Sequence, residues 1–139
     1  MRSLLLLPFL IFSFNSFGIF NLKTKEEQKP DIQSKKWLFL SQSCHSCSEL
    51  LLELKSFCKG KKPSPAQIGF FISGSQIKAM LKKVKDFEKE YEVFSGAPSE
   101  FYKHYQVSSS PSLKTSKKTI AGKKAILRFL QKDKEICSS

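Results

Sequence analysis

Arginine is almost missing from this chain of 139 residues: among its 24 basic side chains only Arg2 and Arg128 are arginine. Readers of nucleic acid lean on arginine and interleaved aromatics, so the net charge of +12, carried by lysine, does not point to them. Close cysteine clusters are scarce too. The four cysteines are Cys44, Cys47, Cys58 and Cys137, and a zinc site needs four ligands; beyond Cys44 and Cys47 no second close pair exists to complete one. Haem attachment wants histidine directly after the second cysteine, and Ser48 stands there. No resident metal or cofactor is therefore expected. There is no internal repeat, and no low-complexity tract beyond the lysine bias. What the chain has is 40% hydrophobic and 12% aromatic content with thirteen phenylalanines, enough for one domain with a modest core.

The N-terminus reads as a secretory signal over residues 1–18. Arg2 is the basic start, Leu4 to Phe14 is an almost unbroken apolar run, and Ser16 and Gly18 are small residues three and one positions before a cut after Gly18. The run is short of the roughly 20 apolar residues of a spanning helix, which leaves an uncleaved anchor as the alternative. No cysteine follows closely, so a lipoprotein cut is not supported. The expected location is periplasmic or secreted, where disulfides persist. Residues 19–33 are polar and charged with Pro30, and read as a linker. A domain is expected over 34–133, with a tail over 134–139.

Within the domain, Trp37 to Leu40 reads as a buried strand. Leu50, Leu51, Leu54, Phe57 and Cys58 lie at helical spacing, with Gly60 and Pro63 ending the helix. Ile68 to Ile72 is a second strand. Ile77, Met80, Leu81, Val84 and Phe87 form the clearest helical stripe, and Tyr91 to Phe94 a short strand. A short helix carries Phe101, Tyr102 and Tyr105; Lys118 to Ile120 is a last strand; and Gly122 precedes a helix with Ile126, Phe129 and Leu130. Strands alternating with helices argue an α/β fold, a partly parallel sheet covered on both faces.

The chemistry concentrates at Cys44-His45-Ser46-Cys47, between the first strand and its helix. Unpaired N–H groups and the dipole at a helix start stabilise a thiolate, and the thiolate is the nucleophile of disulfide exchange. Cys44 is the expected nucleophile and Cys47 the resolving thiol. A protonated His45 would lower the Cys44 pKa further; its bland reading is a histidine facing solvent. A purely structural bond in so small a loop is the competing reading of the pair. Cys58 and Cys137 are either separate thiols or a structural disulfide tying the C-terminus to the core. A closed loop of about 80 residues would contribute roughly 4 kcal/mol in the chain-entropy model.

Strand, C-x-x-C, helix and the later Val107-Ser108-Ser109-Ser110-Pro111-Ser112-Leu113 together resemble the thioredoxin superfamily. The resemblance implies a thioredoxin-like three-layer sandwich, with one extra strand–helix unit (Ile68 to Phe87) between the C-x-x-C helix and a cis-proline loop. It also implies a cis Ser110–Pro111 bond, with the Ser110 backbone presented to an extended substrate strand, a form of β-augmentation. Several positions depart from thioredoxin itself. The pair between the cysteines lacks its proline, Leu38 stands where it has a buried aspartate, and Leu52 stands where its helix has a kinking proline. The stretch from Phe70 to Pro111 is also similar to the TrbC-type pilus-assembly proteins of conjugative systems. That implies an alternative, a non-catalytic assembly protein with a structural disulfide.

The expected function is thiol–disulfide exchange on exported proteins with cysteines, with a membrane redox partner or secretion and pilus-assembly proteins as further partners. Lys114 to Lys134 holds eight basic residues and one acid, a stretch suited to anionic surfaces, though a plain solvated lysine face is the simpler reading.

Overall fold

The computed structural model describes residues 18–74, 87 and 89–138. Residues 1–17 of the signal expected over 1–18, and Ile77 to Val84 of the helical stripe that ends at Phe87, lie outside them. Strands β1 (Phe20–Asn21), β2 (Lys36–Ser41), β3 (Ile68–Ser73), β4 (Val93–Gly96), β5 (Ser112–Lys114) and β6 (Thr119–Ala121) form one sheet in the order β1-β4-β3-β2-β5-β6. The described helices are α1 (His45–Leu54), α2 (Pro98–Tyr105) and α3 (Lys123–Lys132). The β2–β3 and β3–β4 pairs are parallel and the other three antiparallel. Of the extra strand–helix unit expected over Ile68 to Phe87, the strand is β3, between α1 and the Pro111 loop, and most of the helix lies outside the described residues.

The alternation of strand residues builds two different cores. On one face Leu38, Leu40, Ile68, Phe70, Ile72 and Leu113 meet Leu50, Leu51 and Leu54 of α1 and Ile126 and Leu130 of α3. On the other, Trp37, Phe39, Phe71 and Phe94 meet Phe101 and Tyr105 of α2. Successive strand residues point to opposite faces, so β2 and β3, buried on both sides, read as continuous apolar runs. The second core is almost wholly aromatic: Phe39 stacks on Phe71 at 4.5 Å, and Phe71 meets Phe101 at 5.0 Å. Gly69, paired with Trp37 across the parallel ladder, carries no side chain because the Trp37 ring fills the space where a Cβ would lie.

Three expectations shift. The segment read as a polar linker over 19–33 supplies β1, which pairs antiparallel with β4, and Ile19 is buried in the aromatic core. Its apolar start, Ile19-Phe20, covers a sheet edge that would otherwise be open. The helix expected to run to Cys58 ends at Leu54: the turns after it tighten to i→i+3 bonds, and Lys59 and Gly60 take positive φ. The strand expected at Tyr91 starts at Val93. Tyr91 itself packs on Phe70 and Phe87 and donates its hydroxyl to the Pro63 carbonyl, and burial pushes its pKa up to about 12. No helix among the described residues is long and apolar enough to cross a membrane.

Candidate functional site

The site begins where β2 runs out. After Ser41 a two-residue turn brings in Cys44, whose N–H donates to the Ser41 carbonyl at 3.3 Å. Cys44 is the N-cap of α1, and its sulfur accepts from the N–H of Cys47 at 3.0 Å. This is one of the first-turn amides that a helix leaves without an internal partner. Cys44 and Cys47 are joined as a disulfide with Cα atoms 5.2 Å apart. Cys44 is half-buried at the rim, whereas Cys47 is only 2% exposed, facing the core.

Across the gap, the Ser110–Pro111 peptide is cis, and the Ser110 carbonyl oxygen lies 3.6 Å from Cys44 Sγ. A serine framework holds this loop. Ser41 and Ser110 hydroxyls are 2.8 Å apart, Ser112 donates to the Ser109 carbonyl at 2.8 Å, and the Gly122 N–H donates to the Pro111 carbonyl at 3.0 Å. The residues singled out from the sequence as nucleophile, resolving thiol and loop thus meet at one end of the sheet. A small cavity of about 170 Å³ opens beside them, with Phe39, Leu40, Phe101 and Val107 in its wall and Ser41 and Ser110 at its edge.

His45 is in the first turn of α1 with its side chain 89% exposed, and its Nε2 is 2.9 Å from Glu49 Oε1. Glu49 also meets Lys123 Nζ at 2.6 Å, and Lys123 reaches Glu53 at 3.3 Å. The Lys123 ammonium, bonded to the Glu49 carboxylate, holds it below the usual carboxylate range, and Glu49 in turn raises Lys123. The sequence reading missed this chain of charges. The His45–Glu49 spacing of i, i+4 was a legible signal; Lys123, 74 residues away, carried none. Leu38, where thioredoxin has its aspartate, is fully buried among apolar neighbours, and Leu52 is 63% exposed.

Cys58 and Cys137 are also bridged, with Cα atoms 5.6 Å apart, closing a separation of 79 residues. This bridge is distant in the chain from the serine loop and lines a cleft of about 900 Å³ with Phe57, Pro63, Leu130 and Ile136. Ile136 is 1% exposed, and its carbonyl accepts from the Ser64 N–H at 2.8 Å. Among the described residues no group of three or more His, Cys, Asp or Glu side chains is placed to hold a metal ion.

No protein-family model and no curated protein matches this chain. Solved structures do. The structure of MTB dsbF in its mixed oxidized and reduced forms matches over 83% of this chain and 92% of its own, with a TM-score of 0.52 and 11% identity. A putative thioredoxin from Neisseria meningitidis matches over 84% and 85%, with a TM-score of 0.51 and 19% identity. The chain also spans 61% of a secreted Mycobacterium tuberculosis disulfide oxidoreductase, which covers 59% of it at a TM-score of 0.44 and 19% identity. At these identities the likeness is one of fold, and the fold of this chain is thioredoxin-like.

Proposed function

We propose that this chain is an exported thiol–disulfide oxidoreductase that acts on protein cysteines through Cys44 and Cys47. The observation that carries the reading is the Cys44–Cys47 bond at the start of α1, with Cys44 Sγ facing the Ser110 carbonyl of the cis-proline loop. Such a bond is closed by a short loop and opens without disturbing the sheet. The dsbF structure, described in oxidized and reduced forms on the same fold, supports it.

In the oxidised chain a substrate thiolate attacks Cys44 Sγ. The Cys44–Cys47 bond breaks, and Cys47 leaves as a thiolate and takes up a proton. A second substrate thiolate then attacks the substrate sulfur of the mixed disulfide and expels Cys44 as a thiolate. The substrate dithiol is oxidised and the pair is reduced; the reverse sequence reduces a substrate disulfide. The Cys47 N–H and the helix start stabilise the Cys44 thiolate, while the His45 side chain turns to solvent and pairs with Glu49. Pro111 shapes the groove, and the Ser110 backbone pairs with the extended substrate.

Replacing Cys47 with alanine removes the resolving thiol, so mixed disulfides between Cys44 and exported proteins are expected to accumulate and to vanish on reduction. If none form in the Cys47→Ala chain, and a secretion or pilus phenotype survives Cys44→Ser, the chain is an assembly protein instead.

A further inference from the structure

The ion pairs of the molecule are unevenly shared. Glu49 and Glu53 are held by Lys123, Glu92 by Lys35, Glu90 by Lys62, and Asp133 by Lys36. Each of these pairs takes up acid, and among the described residues none of them lies on the outer face of α3. Lys124, Arg128 and Lys132 follow one another at i, i+4 and i+8, all exposed, and among the described residues none is in an ion pair. That spacing puts them on one side of the helix along about 12 Å. The β5–β6 turn brings Lys118 against α3 as well, its Nζ 5.2 Å over the ring of Phe129. Of the two acids in residues 114–138, Asp133 is occupied by Lys36, which leaves only Glu135 against this charge.

The position of the face matters as much as its charge. Gly122, the N-cap of α3, donates its N–H to the Pro111 carbonyl, and Lys123 is bound to Glu49 in the helix that carries Cys44. The stripe therefore begins two residues from a direct contact with the Pro111 loop and runs away from it. A body lying along α3 has its end at the redox pair. Among the described residues the large exposed apolar side chains are Leu52 on α1 and Tyr102 on α2, and none is on α3.

We infer that the α3 face, through Lys124, Arg128 and Lys132 with Lys118 beside it, docks an acidic protein segment flanking the cysteine that exchanges with Cys44. This rests on the exchange function proposed above. Opposite charge along the approach raises the encounter rate, and salt removes the gain because the Debye length shrinks from about 30 Å at 0.01 M to about 10 Å at 0.1 M.

The test compares the full chain with its K124E/R128E/K132E variant, whose changes lie on exposed positions outside the redox pair and its loop. A single-cysteine peptide flanked by glutamates is reacted with the oxidised proteins at about 0.01 M ionic strength. The variant is expected to react roughly tenfold more slowly, and the difference to disappear near 1 M salt. Uncharged dithiothreitol should reduce both at the same rate. Equal rates with the acidic peptide at low salt would overturn the inference. Binding of the same peptide with serine in place of its cysteine gives a second reading that needs no exchange. It should be lost in the variant, and retention would also overturn the inference. Dithiothreitol that fails to open Cys44–Cys47 would sink the exchange function, leaving this binding result to decide the docking face. Binding to phosphatidylglycerol vesicles that the variant loses, with no change in peptide rate or binding, would make the face a lipid surface and overturn the acidic-protein assignment.

Discussion

The two disulfides of this chain differ in almost every respect that decides what a disulfide does. Cys44–Cys47 closes a separation of three residues at a helix start, with one sulfur at the rim against the Ser110 carbonyl. Cys58–Cys137 closes 79 residues and fastens the C-terminal segment beside the buried Ile136. In the chain-entropy model the long loop contributes about 4 kcal/mol and the short one about 2 kcal/mol. The short bond is cheap to open and well placed for attack. The long one carries stability, and opening it undoes the anchoring of the chain end. On the function proposed above, one bond serves chemistry and the other folding.

The sharpest way to break this comparison is to remove each bond in turn. Cys44→Ser is expected to reduce disulfide exchange on a model dithiol substrate below detection, while urea unfolding loses no more than about 2 kcal/mol. The Cys58→Ser/Cys137→Ser chain should do the reverse, losing about 4 kcal/mol in unfolding and keeping its exchange rate within about twofold. A well-folded double variant without exchange would show that the division is wrong.

The next effect separates the bridge from the packing around it. Ile136→Ala leaves a cavity at the fastened end and should cost about 2–5 kcal/mol with both disulfides intact, read from urea unfolding. A cost under about 1 kcal/mol would mean that the bond alone anchors the tail.

A smaller test uses alkaline pH. Tyr91 donates to the carbonyl of Pro63, which lines the cleft at the long bridge, and its pKa is raised to about 12 by burial, with a further rise from Glu90. The neutral form is the one the fold accepts. Stability is therefore full below the ordinary tyrosine value of about 10, where neither state ionises, and is lost as the pH rises through about 12. Tyr91→Phe should flatten that limb in pH-dependent unfolding and leave the acid limb alone.

The smallest effect lies at the other bond. Glu49 is held low by its hydrogen bond to Lys123 and by the charges of Lys123 and His45. Its contribution is present above the ordinary carboxylate range and lost as the pH falls through the lowered value. Glu49→Gln should soften the acid limb slightly without touching the alkaline one. The pair is solvent-exposed, and exposed pairs contribute little.

Much of the site was legible in the sequence because its parts are local. The run Trp37 to Leu40 ahead of Cys44, the three-residue spacing to Cys47 and the apolar stripe after it state a strand, a turn and a helix start. Pro111, flanked by serines and followed by Leu113, marked the loop. Less legible were the elements whose form depends on a distant partner. Phe20 and Asn21 sit in a polar stretch and become an edge strand only because β4 is there to pair with them. Cys58 keeps helical spacing with Leu54 yet leaves the helix, since Lys59 and Gly60 turn the chain into a small hairpin closed by Lys61.

Taken alone, the order of residues determined the strand–helix alternation and the placing of Cys44 at a helix start, while the loop that faces it was implied by the resemblance to the thioredoxin superfamily. The first two depend on periodicities of two and 3.6 and on residues close in the chain. The tertiary structure decided the rest. It settled that Cys58 meets Cys137, that Lys123 pairs with Glu49 on the helix behind Cys44, and that Lys118 lies over Phe129 of α3. Each of these joins residues that the chain holds far apart, and only the closing of the sheet and its two cores brings them within reach of one another.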